Sequence, residues 1–136
     1  MLRLGNRLGR ATFPVVVLLV ALAHGSPAQA RCQDSPKPRV DWTGCSKPQL
    51  MLSKDDLTGA VFTKAALTGT EFVGAKLAGA KLEDAEISHA RFDGADLSRT
   101  AGLKQAQLDL ACGTKTTKLP PGLTAPKGWP CVEEDD

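Results

Sequence analysis

The sequence predicts a solenoid, a stack of short coils, and two observations in residues 50–99 lead to this fold. The segment divides into ten blocks of five residues, and the third residue of every block is large and apolar. The first residue of seven blocks is alanine; Leu50, Asp55 and Thr70 are the exceptions. A period of five fits neither the 3.6-residue period of an amphipathic helix nor the two-residue period of a strand. Short repeats that cannot bury a face alone stack on one another, which gives a solenoid.

The third residues of the blocks form the predicted structural core: Leu52, Leu57, Phe62, Leu67, Phe72, Leu77, Leu82, Ile87, Phe92 and Leu97. Blocks such as AKLAG at 75–79 and ADLSR at 95–99 resemble the pentapeptide-repeat family, in which a central Leu or Phe follows an Ala by two residues. The resemblance implies an all-β solenoid, a right-handed quadrilateral parallel β-helix with one pentapeptide on each side. It covers the segment 50–103.

With four blocks in a coil, residues twenty apart are stacked neighbours at the normal strand spacing of about 4.8 Å. All inward stacks are then apolar, and Phe72 can stack on Phe92 in an offset arrangement. The outward stacks bring opposite charges together: Asp56, Lys76 and Asp96 alternate in sign, Glu71 meets Arg91, and Lys64 meets Asp84. Opposite charges on neighbouring strands stabilise the pairing, so the surface helps to hold its own register.

Glycines mark the corners of the predicted coil. Five of them occupy the last position of a block: Gly59, Gly69, Gly74, Gly79 and Gly94. Glycine allows the positive φ that some turns need. Neither a P-loop pattern nor a dinucleotide-binding G-x-G-x-x-G pattern occurs, so the glycines predict turns and not a phosphate site.

Residues 1–30 have the three parts of a secretory signal. Arg3, Arg7 and Arg10 make a positive start, 11–23 is apolar apart from Thr12 and Pro14, and 28–30 reads A-Q-A. The apolar run is shorter than the roughly 20 residues of a membrane span. We therefore predict cleavage after Ala30 and export to the periplasm or the medium, with retention as an uncleaved anchor as the alternative.

Signal removal changes the charge balance. The full chain has 17 basic and 15 acidic side chains, and three arginines leave with the signal, so 14 stand against 15 and the formal charge is −1. A nearly neutral domain has no bulk attraction for nucleic acid or for an anionic membrane. We expect no nucleic-acid partner and no membrane span after cleavage.

Four cysteines flank the repeats: Cys32, Cys45, Cys112 and Cys131. An even number in a small exported chain predicts disulfides, and four cysteines allow three pairings. We favour Cys32 with Cys45 and Cys112 with Cys131, because a rod holds its ends too far apart for a bond that tolerates about 7 Å between Cα atoms. The spacings lack a C-x-x-C pair, so no metal site is expected.

The two ends depart from the repeat. Residues 31–49 form a predicted N-terminal cap, in which Trp42 covers the first coil, with ligand stacking as the alternative role; Lys47 and Pro48 make one side irregular. The five-residue phase shifts by one at Thr100. Good helix formers over 104–112 predict a short capping helix that Gly113 could end. The Pro-rich tail completes the segment 104–136 and should wrap the last coil, and the acidic end, 133–136, is expected to be disordered.

The C-terminal stretches QAQLD at 105–109, ACG at 111–113, LP at 119–120 and GLT at 122–124 are similar to an extension that follows the repeats in some members of the family. A Ser or Thr would be expected to cap the helix where this sequence has Lys104. The resemblance therefore supports a folded C-terminal end and leaves the start of its helix open.

The preferred function is a non-enzymatic exported scaffold, structural or protein-binding, whose partner is an unknown protein or envelope component. No cofactor, metal or catalytic group is expected, because acid-base and nucleophilic catalysis need convergent side chains and His89 stands alone at an outward corner. A weaker alternative is a hydrolytic enzyme. The resemblance implies another: some family members mimic DNA and bind gyrase or topoisomerase, a use that requires a long, dimeric, acidic rod in the cytoplasm. The partner, its binding face and the oligomeric state stay open.

Overall fold

The computed structural model describes residues 31–132. The predicted signal at 1–30 and the acidic end at 133–136 lie outside the described residues. From Asp41 onward the backbone winds in coils of twenty residues, joined by parallel bridges such as Asp41 to Val61 and Val61 to Lys81. The coiled part therefore begins nine residues before the first regular block at Leu50.

Four bridges in each coil divide the surface into four faces. Face 1 comprises 40–44, 60–64 and 80–84, face 2 comprises 45–49, 65–69 and 85–89, face 3 comprises 50–54, 70–74 and 90–94, and face 4 comprises 55–59, 75–79 and 95–99. Each face contributes a single bridging residue per coil, so among 31–132 there are isolated bridges and no longer strands. Main-chain hydrogen bonds join neighbouring coils, and most of them are 2.7–3.1 Å long. In one example Trp42 N donates to Val61 O at 2.8 Å. The β-helix is thus parallel and four-sided.

The core is a column of side chains along the coil axis. All ten predicted core residues are at most 2% exposed, and the seven alanines that open the blocks are at most 3% exposed. Phe72 lies parallel to Phe92, with ring centroids 5.0 Å apart and an angle of 1° between the planes. Because each apolar side chain packs on the one twenty residues later, burial of apolar area stabilises the stack coil by coil.

The corners are tight turns. The main-chain N–H of the residue after each turn donates to the main-chain carbonyl of the buried central residue three positions earlier, as Cys45 N does to Trp42 O at 3.0 Å. The last residue of the block has a positive φ at every corner from 39 to 94. Six corners use glycine and six use other residues: Gly44, Gly59, Gly69, Gly74, Gly79, Gly94, Arg39, Gln49, Lys54, Lys64, Asp84 and His89. A type II turn needs this left-handed residue at its third position. Stacking of the coils thus imposes the conformation even where a side chain disfavours it.

The N-terminal end closes over Trp42. The indole is fully buried beside Phe62, with ring centroids 5.8 Å apart, and its Nε1 donates to Asp34 O at 3.2 Å. The Lys47 ammonium lies 4.3 Å from the centre of the Trp42 ring, a cation-π contact. Trp42 is therefore a core residue covered by the preceding segment, and Lys47 takes part in covering it.

The irregular corner at 47–50 is repaired by a hydroxyl from the next coil. Thr70 lies at an alanine-type position and is fully buried. Its Oγ1 donates to Lys47 O at 3.1 Å and accepts from Leu50 N at 3.4 Å. In regular corners the main-chain N–H reaches that carbonyl directly, so the Thr70 hydroxyl bridges a turn that has opened around Pro48.

The C-terminal register differs from the predicted one. The pairing of Lys81 with Ala101 keeps the twenty-residue offset past Thr100, so the shift predicted there is wrong. The offset grows to 21 where Arg91 pairs with Cys112 and to 22 where Asp96 pairs with Lys118. One extra residue enters between Ala101 and Cys112, where a helix takes the place of face 2, and the second enters between Cys112 and Lys118, on the following side of the coil.

One helix lies wholly within the described residues, α1, Gln105–Leu108. It is a single turn, shorter than the predicted 104–112. Gln107 holds it in place: its Oε1 accepts from Lys104 N at 2.8 Å, and its Nε2 donates to Leu82 O at 2.9 Å and Ala85 O at 2.8 Å. Leu108 is fully buried and extends the apolar column. The Gln107 side chain supplies the N-terminal cap that Lys104 lacks.

The tail 120–131 packs against the last coil. Trp129 Nε1 donates to Ala111 O at 2.7 Å, and a Cβ at Gly113 would overlap the six-membered ring of Trp129. Gly113 therefore makes room for the indole. The prediction that Gly113 ends the helix is wrong, because the helix ends at Leu108. Disulfides join Cys32 to Cys45 and Cys112 to Cys131, each with Cα atoms 5.5 Å apart, the pairing that the rod argument favours.

Candidate interaction surface

The outward side chains come from the residues just before and just after each buried centre. Because every coil repeats the last one, these residues form straight rows parallel to the coil axis, one rung per coil. Rungs are separated by the strand spacing of about 4.8 Å. A surface built in this way is flat, and its chemistry is decided by the order of residues along each row.

Face 4 carries a row of four alternating charges, which we call the charge ladder: Asp56, Lys76, Asp96 and Lys118. Parallel bridges pair Asp56 with Lys76, Lys76 with Asp96 and Asp96 with Lys118. Lys118 Nζ lies 3.8 Å from Asp96 Oδ2, and the two side chains are 71% and 46% exposed. The predicted alternation of three charges is present and continues into the last coil.

The neighbouring row on face 4 is made of short side chains, Thr58, Ala78 and Ser98. Glycine corners border the face on both sides: Gly59 and Gly79 on one, Gly74 and Gly94 on the other. Glycines therefore flank Lys76 on both sides, whereas the exposed Arg99 stands on one side of Asp96. Face 4 is a flat strip on which the charged groups stand highest.

Hydroxyl groups fix the carboxylates of the ladder. Ser98 Oγ and N donate to Asp96 Oδ1 at 2.5 and 3.0 Å, and Thr58 Oγ1 and N donate to Asp56 Oδ1 at 2.6 and 3.1 Å. These bonds to the charged form lower the pKa of Asp96 and of Asp56 below the ordinary 3.8, and nearby lysines add to the effect. Both carboxylates are therefore charged and oriented at neutral pH.

Face 1 shows the same local pair. Thr43 Oγ1 donates to Asp41 Oδ1 at 2.6 Å, and this bond, followed by that of the Thr43 main chain, lowers the pKa of Asp41. Arg31 adds an ion pair at 2.9 Å. The signal for all three pairs is Asp-x-Thr or Asp-x-Ser across a buried centre, a spacing that the sequence analysis did not use.

A second charged row runs along the corner between faces 1 and 2. Lys104 Nζ lies 3.0 Å from Asp84 Oδ1, and this hydrogen bond, followed by the charges of Lys104 and Lys64, lowers the pKa of Asp84. Asp84 therefore lies between Lys64, its predicted neighbour, and Lys104, so that the row contains three charges.

On face 3 the predicted partners Glu71 and Arg91 are bridged neighbours. In addition, Arg91 Nε lies 3.0 Å from Asp93 Oδ2 on the same coil. The guanidinium therefore belongs to an ion pair within its own coil as well as to the predicted row.

His89 is exposed at the corner between faces 2 and 3, as predicted, and its main-chain N donates to Leu110 O at 2.7 Å. Within 31–132, no group of three or more His, Cys, Asp or Glu side chains could hold a metal ion. The large exposed apolar side chains in that range are Met51 on the first coil and Leu110 and Val132 after the repeats.

A shallow cavity of about 460 Å³ lies between α1 and the tail, lined by Gln105, Asp109 and residues 124–128. Gln105 crosses it: Nε2 donates to Asp109 Oδ1 at 2.8 Å and to Thr124 O at 3.0 Å, while Oε1 accepts from Thr124 N at 3.0 Å. The Gln105 amide uses both of its ends to hold the tail. This cavity was not predicted, because it joins two irregular segments that no period relates.

Comparison with known proteins agrees with the coil. The family model for pentapeptide repeats matches residues 60–99, in eight copies. No curated protein matches the sequence.

The solved structures that are similar to this chain include two pentapeptide repeat proteins. A pentapeptide repeat protein (Rfr23) from the cyanobacterium Cyanothece 51142 is 25% identical, with a TM-score of 0.32 over 63% of this chain and 67% of that one. A pentapeptide repeat protein from the Arabidopsis thaliana thylakoid lumen is 18% identical, with a TM-score of 0.30 over 71% of this chain and 67% of that one.

Proposed function

Since residues 60–99 place this chain in the pentapeptide-repeat family, we propose that the mature protein is a non-enzymatic exported scaffold. It binds another protein or a component of the cell envelope through a flat outer face, and its coils take the right-handed winding that the family implies. The observation that carries the proposal is a rod with both ends covered. Trp42 and Trp129 each donate to a main-chain carbonyl near one end, and each end has a disulfide.

Export is part of this proposal. Disulfides persist in oxidising compartments outside the cytosol, and small exported domains use them in place of a larger core. Both disulfides here join a terminal segment to the coil, where they limit fraying of the end. Among residues 31–132, no helix is long and apolar enough to cross a membrane.

The surface supports binding more than catalysis. The carboxylates of Asp41, Asp56 and Asp96 accept hydrogen bonds from neighbouring hydroxyls, which hold them in their charged form. A general acid needs the opposite tuning, a pKa raised toward the working pH. If His89→Ala abolished a hydrolytic activity of the purified protein, the scaffold function would be wrong.

A DNA-mimicking gyrase ligand is disfavoured by the charge pattern. Four of the 15 acidic residues lie at 133–136, so residues 31–132 carry 14 basic and 11 acidic side chains. Alternating rows also prevent any face from becoming a uniformly acidic strip. We expect the mature protein to leave gyrase supercoiling unchanged, and inhibition would contradict the proposal.

Mass spectrometry of the exported protein tests the processing step. We expect an N-terminus at Arg31 and a mass that rises by four hydrogens when both disulfides are reduced. An N-terminus at Met1 would show that the segment 1–30 is retained.

Face-by-face capture tests the binding function. Envelope extracts are crosslinked to wild-type protein and to four variants, one for each face: Lys81→Glu, Glu86→Lys, Glu71→Lys and Lys76→Glu. We expect a partner that three variants retain and one loses, which identifies the binding face. Equal capture by all four variants, or by thermally unfolded protein, would contradict binding through one flat face.

A further inference from the structure

The charge ladder on face 4 is complementary to its own reverse. Read along the coil axis it runs negative, positive, negative, positive, through Asp56, Lys76, Asp96 and Lys118. Turned end for end, the same row runs positive, negative, positive, negative. Two such rows laid face to face and antiparallel therefore place opposite charges at every rung.

The Glu71 and Arg91 row on face 3 has that property over two rungs only, and two further charged rows lack it. The row along the corner of faces 1 and 2, Lys64, Asp84 and Lys104, has an odd number of charges and reads the same in both directions, so like charges would meet. The corresponding row on face 1, Asp41, Val61, Lys81 and Ala101, opposes a charged residue to an uncharged one at all four rungs and unlike charges at none. Face 4 is distinguished from these rows by an unbroken alternation of charge over four rungs.

The shape of face 4 permits close approach. The row beside the ladder consists of Thr58, Ala78 and Ser98, and three of the four border residues at the middle rungs are glycines, the fourth being Arg99 beside Asp96. The Asp96 and Asp56 carboxylates are oriented by hydroxyl hydrogen bonds, which reduces the entropy lost when they meet a partner. The lysine side chains of the ladder are exposed, 71% in the case of Lys118.

We propose that face 4 binds face 4 of a second copy of this chain. The two-fold axis lies in the interface, perpendicular to the coil axis, between the levels of Lys76 and Asp96. Asp56 then opposes Lys118 of the second copy, and Lys76 opposes Asp96. Each charge has an opposite neighbour along its own row and another across the interface. This pairing specifies a binding face and a partner that the proposed scaffold function does not specify. If the protein were monomeric, the pairing would be wrong and the scaffold function would be unaffected.

The strength of this contact follows from its size. Four rungs span three strand spacings, about 14 Å, which is much shorter than an interface of standard size. Its charge pairs are exposed at the edges and are screened by salt. The dimer is therefore weak, and it forms at high protein concentration and low ionic strength.

Sedimentation velocity tests the pairing. Purified protein is compared from about 10 μM to about 1 mM, in about 20 mM and about 500 mM NaCl, which changes the screening length several-fold. In low salt we expect the average mass to rise toward that of a dimer with concentration, and in high salt the Kd should increase at least about tenfold. A monomer at every concentration in low salt would overturn the proposal.

Two variants with the same charge change distinguish a contact through face 4 from a general effect of the net charge of the protein. Lys76→Glu places like charges at two symmetric contacts, so we expect the Kd to rise at least about tenfold. Lys81→Glu, an exposed lysine at the equivalent position on face 1, should change the Kd by less than about twofold. Equal effects of the two variants would contradict pairing through face 4. Thermal melts establish that both variants are folded.

A charge-exchanged variant distinguishes pairing between chains from pairing within one. The substitutions Asp56→Lys, Lys76→Asp, Asp96→Lys and Lys118→Asp keep the alternation within the chain. We expect this variant to pair with itself and not with wild-type protein, since mixed pairs bring like charges together at every rung. Free mixing of the two would refute the pairing. If the exchanged chain does not fold, the comparison of Lys76→Glu with Lys81→Glu decides the question.

Discussion

At the scale of single residues, the outer surface is organised by a carboxylate and a hydroxyl that straddle one buried side chain. Asp96 and Ser98 lie on either side of Leu97, which points inward, so both face outward and meet at 2.5 Å. Residues two apart in an extended segment share a face, which explains the contact. The same arrangement orients Asp41 and Asp56.

The Asp96–Ser98 pair predicts a pH-dependent stability. The pKa of Asp96 is lower in the folded chain than its ordinary value of 3.8, so its contribution is present above that pH and is lost as the pH falls through the folded pKa. Ser98→Ala should therefore cost about 1 kcal/mol or less at neutral pH, since the pair is half exposed, and less near pH 2, where more of the carboxylate is protonated. Urea unfolding at both pH values measures this.

Ser88→Ala is the matched control, because Ser88 also follows a buried centre, Ile87, but has Glu86 in the place of the aspartate. We expect less than about 0.5 kcal/mol at either pH. The same pH dependence in both serine variants would show that the Asp96–Ser98 bond is not its source.

Thr70 predicts a second residue-scale effect. Thr70→Val keeps the shape of the buried side chain but removes the hydroxyl that bridges Lys47 O and Leu50 N. Two main-chain groups lose their partner, so the free energy of unfolding should fall by about 1–3 kcal/mol. Thr63→Val on face 1, where the side chain is partly exposed, should change it by less than about 0.5 kcal/mol. A more stable Thr70→Val variant would contradict the bridging role.

At the scale of elements, the four-sided coil and its ends obey different rules. Each corner needs a residue with positive φ, and the chain supplies a glycine at six of the twelve corners between 39 and 94. The ends depend instead on single side chains: Gln107 binds two carbonyls of the coil beneath it, and Trp129 binds Ala111. Loss of one corner glycine should be tolerated better than loss of one such contact.

Gly113 tests the packing of the tail. Gly113→Ala introduces a methyl group into the space that the Trp129 ring occupies, so the indole must leave and its bond to Ala111 breaks. We expect a loss of about 1–3 kcal/mol, typical of overpacking. In a Trp42→Phe background the fluorescence of Trp129 should shift to the red.

Gly128→Ala is the control for this change, because no atom lies within 4 Å of the added methyl group and the φ of Gly128 is not in the left-handed region. It should leave both stability and fluorescence unchanged. A Gly113→Ala protein with an unshifted spectrum would show that the tail accommodates the methyl group.

At the scale of the whole molecule, stability comes from an apolar column that every coil shares. Leu77→Ala removes a fully buried side chain from the middle of the column, between Leu57 and Leu97. Coils contact only their neighbours, so the cavity cannot be filled from elsewhere, and we expect a loss of about 2–5 kcal/mol.

Met51→Ala is the counterpart on the surface. Its side chain is 78% exposed, so truncation should cost less than about 0.5 kcal/mol. Chemical denaturation of both variants measures the difference. Similar losses for the two would contradict a stack held together by its column.

The fold could be predicted from the sequence because its tertiary contacts are periodic. A residue such as Phe72 meets Phe92 for the same reason that Leu57 meets Leu77: one rule, five residues to a side and twenty to a coil, relates them all. The charge ladder followed from this rule as far as Asp96. Its last member, Lys118, could not be found, because the offset grows to 22 after α1.

By itself, the sequence determined the coil, its inward column, its corner glycines and the alternating charges outside, since each is a local pattern repeated at a constant interval. Apart from the two disulfides, the tertiary structure alone decided which side-chain contacts close the ends. Gln107 reaching Leu82 and Gly113 making room for Trp129 are contacts between segments that no period relates, and Thr70 bridges the corner at Lys47 only because that turn has opened. Such contacts depend on where the irregular segments lie in space, because a side chain can satisfy a buried carbonyl or fill a gap only after the coil has placed it there.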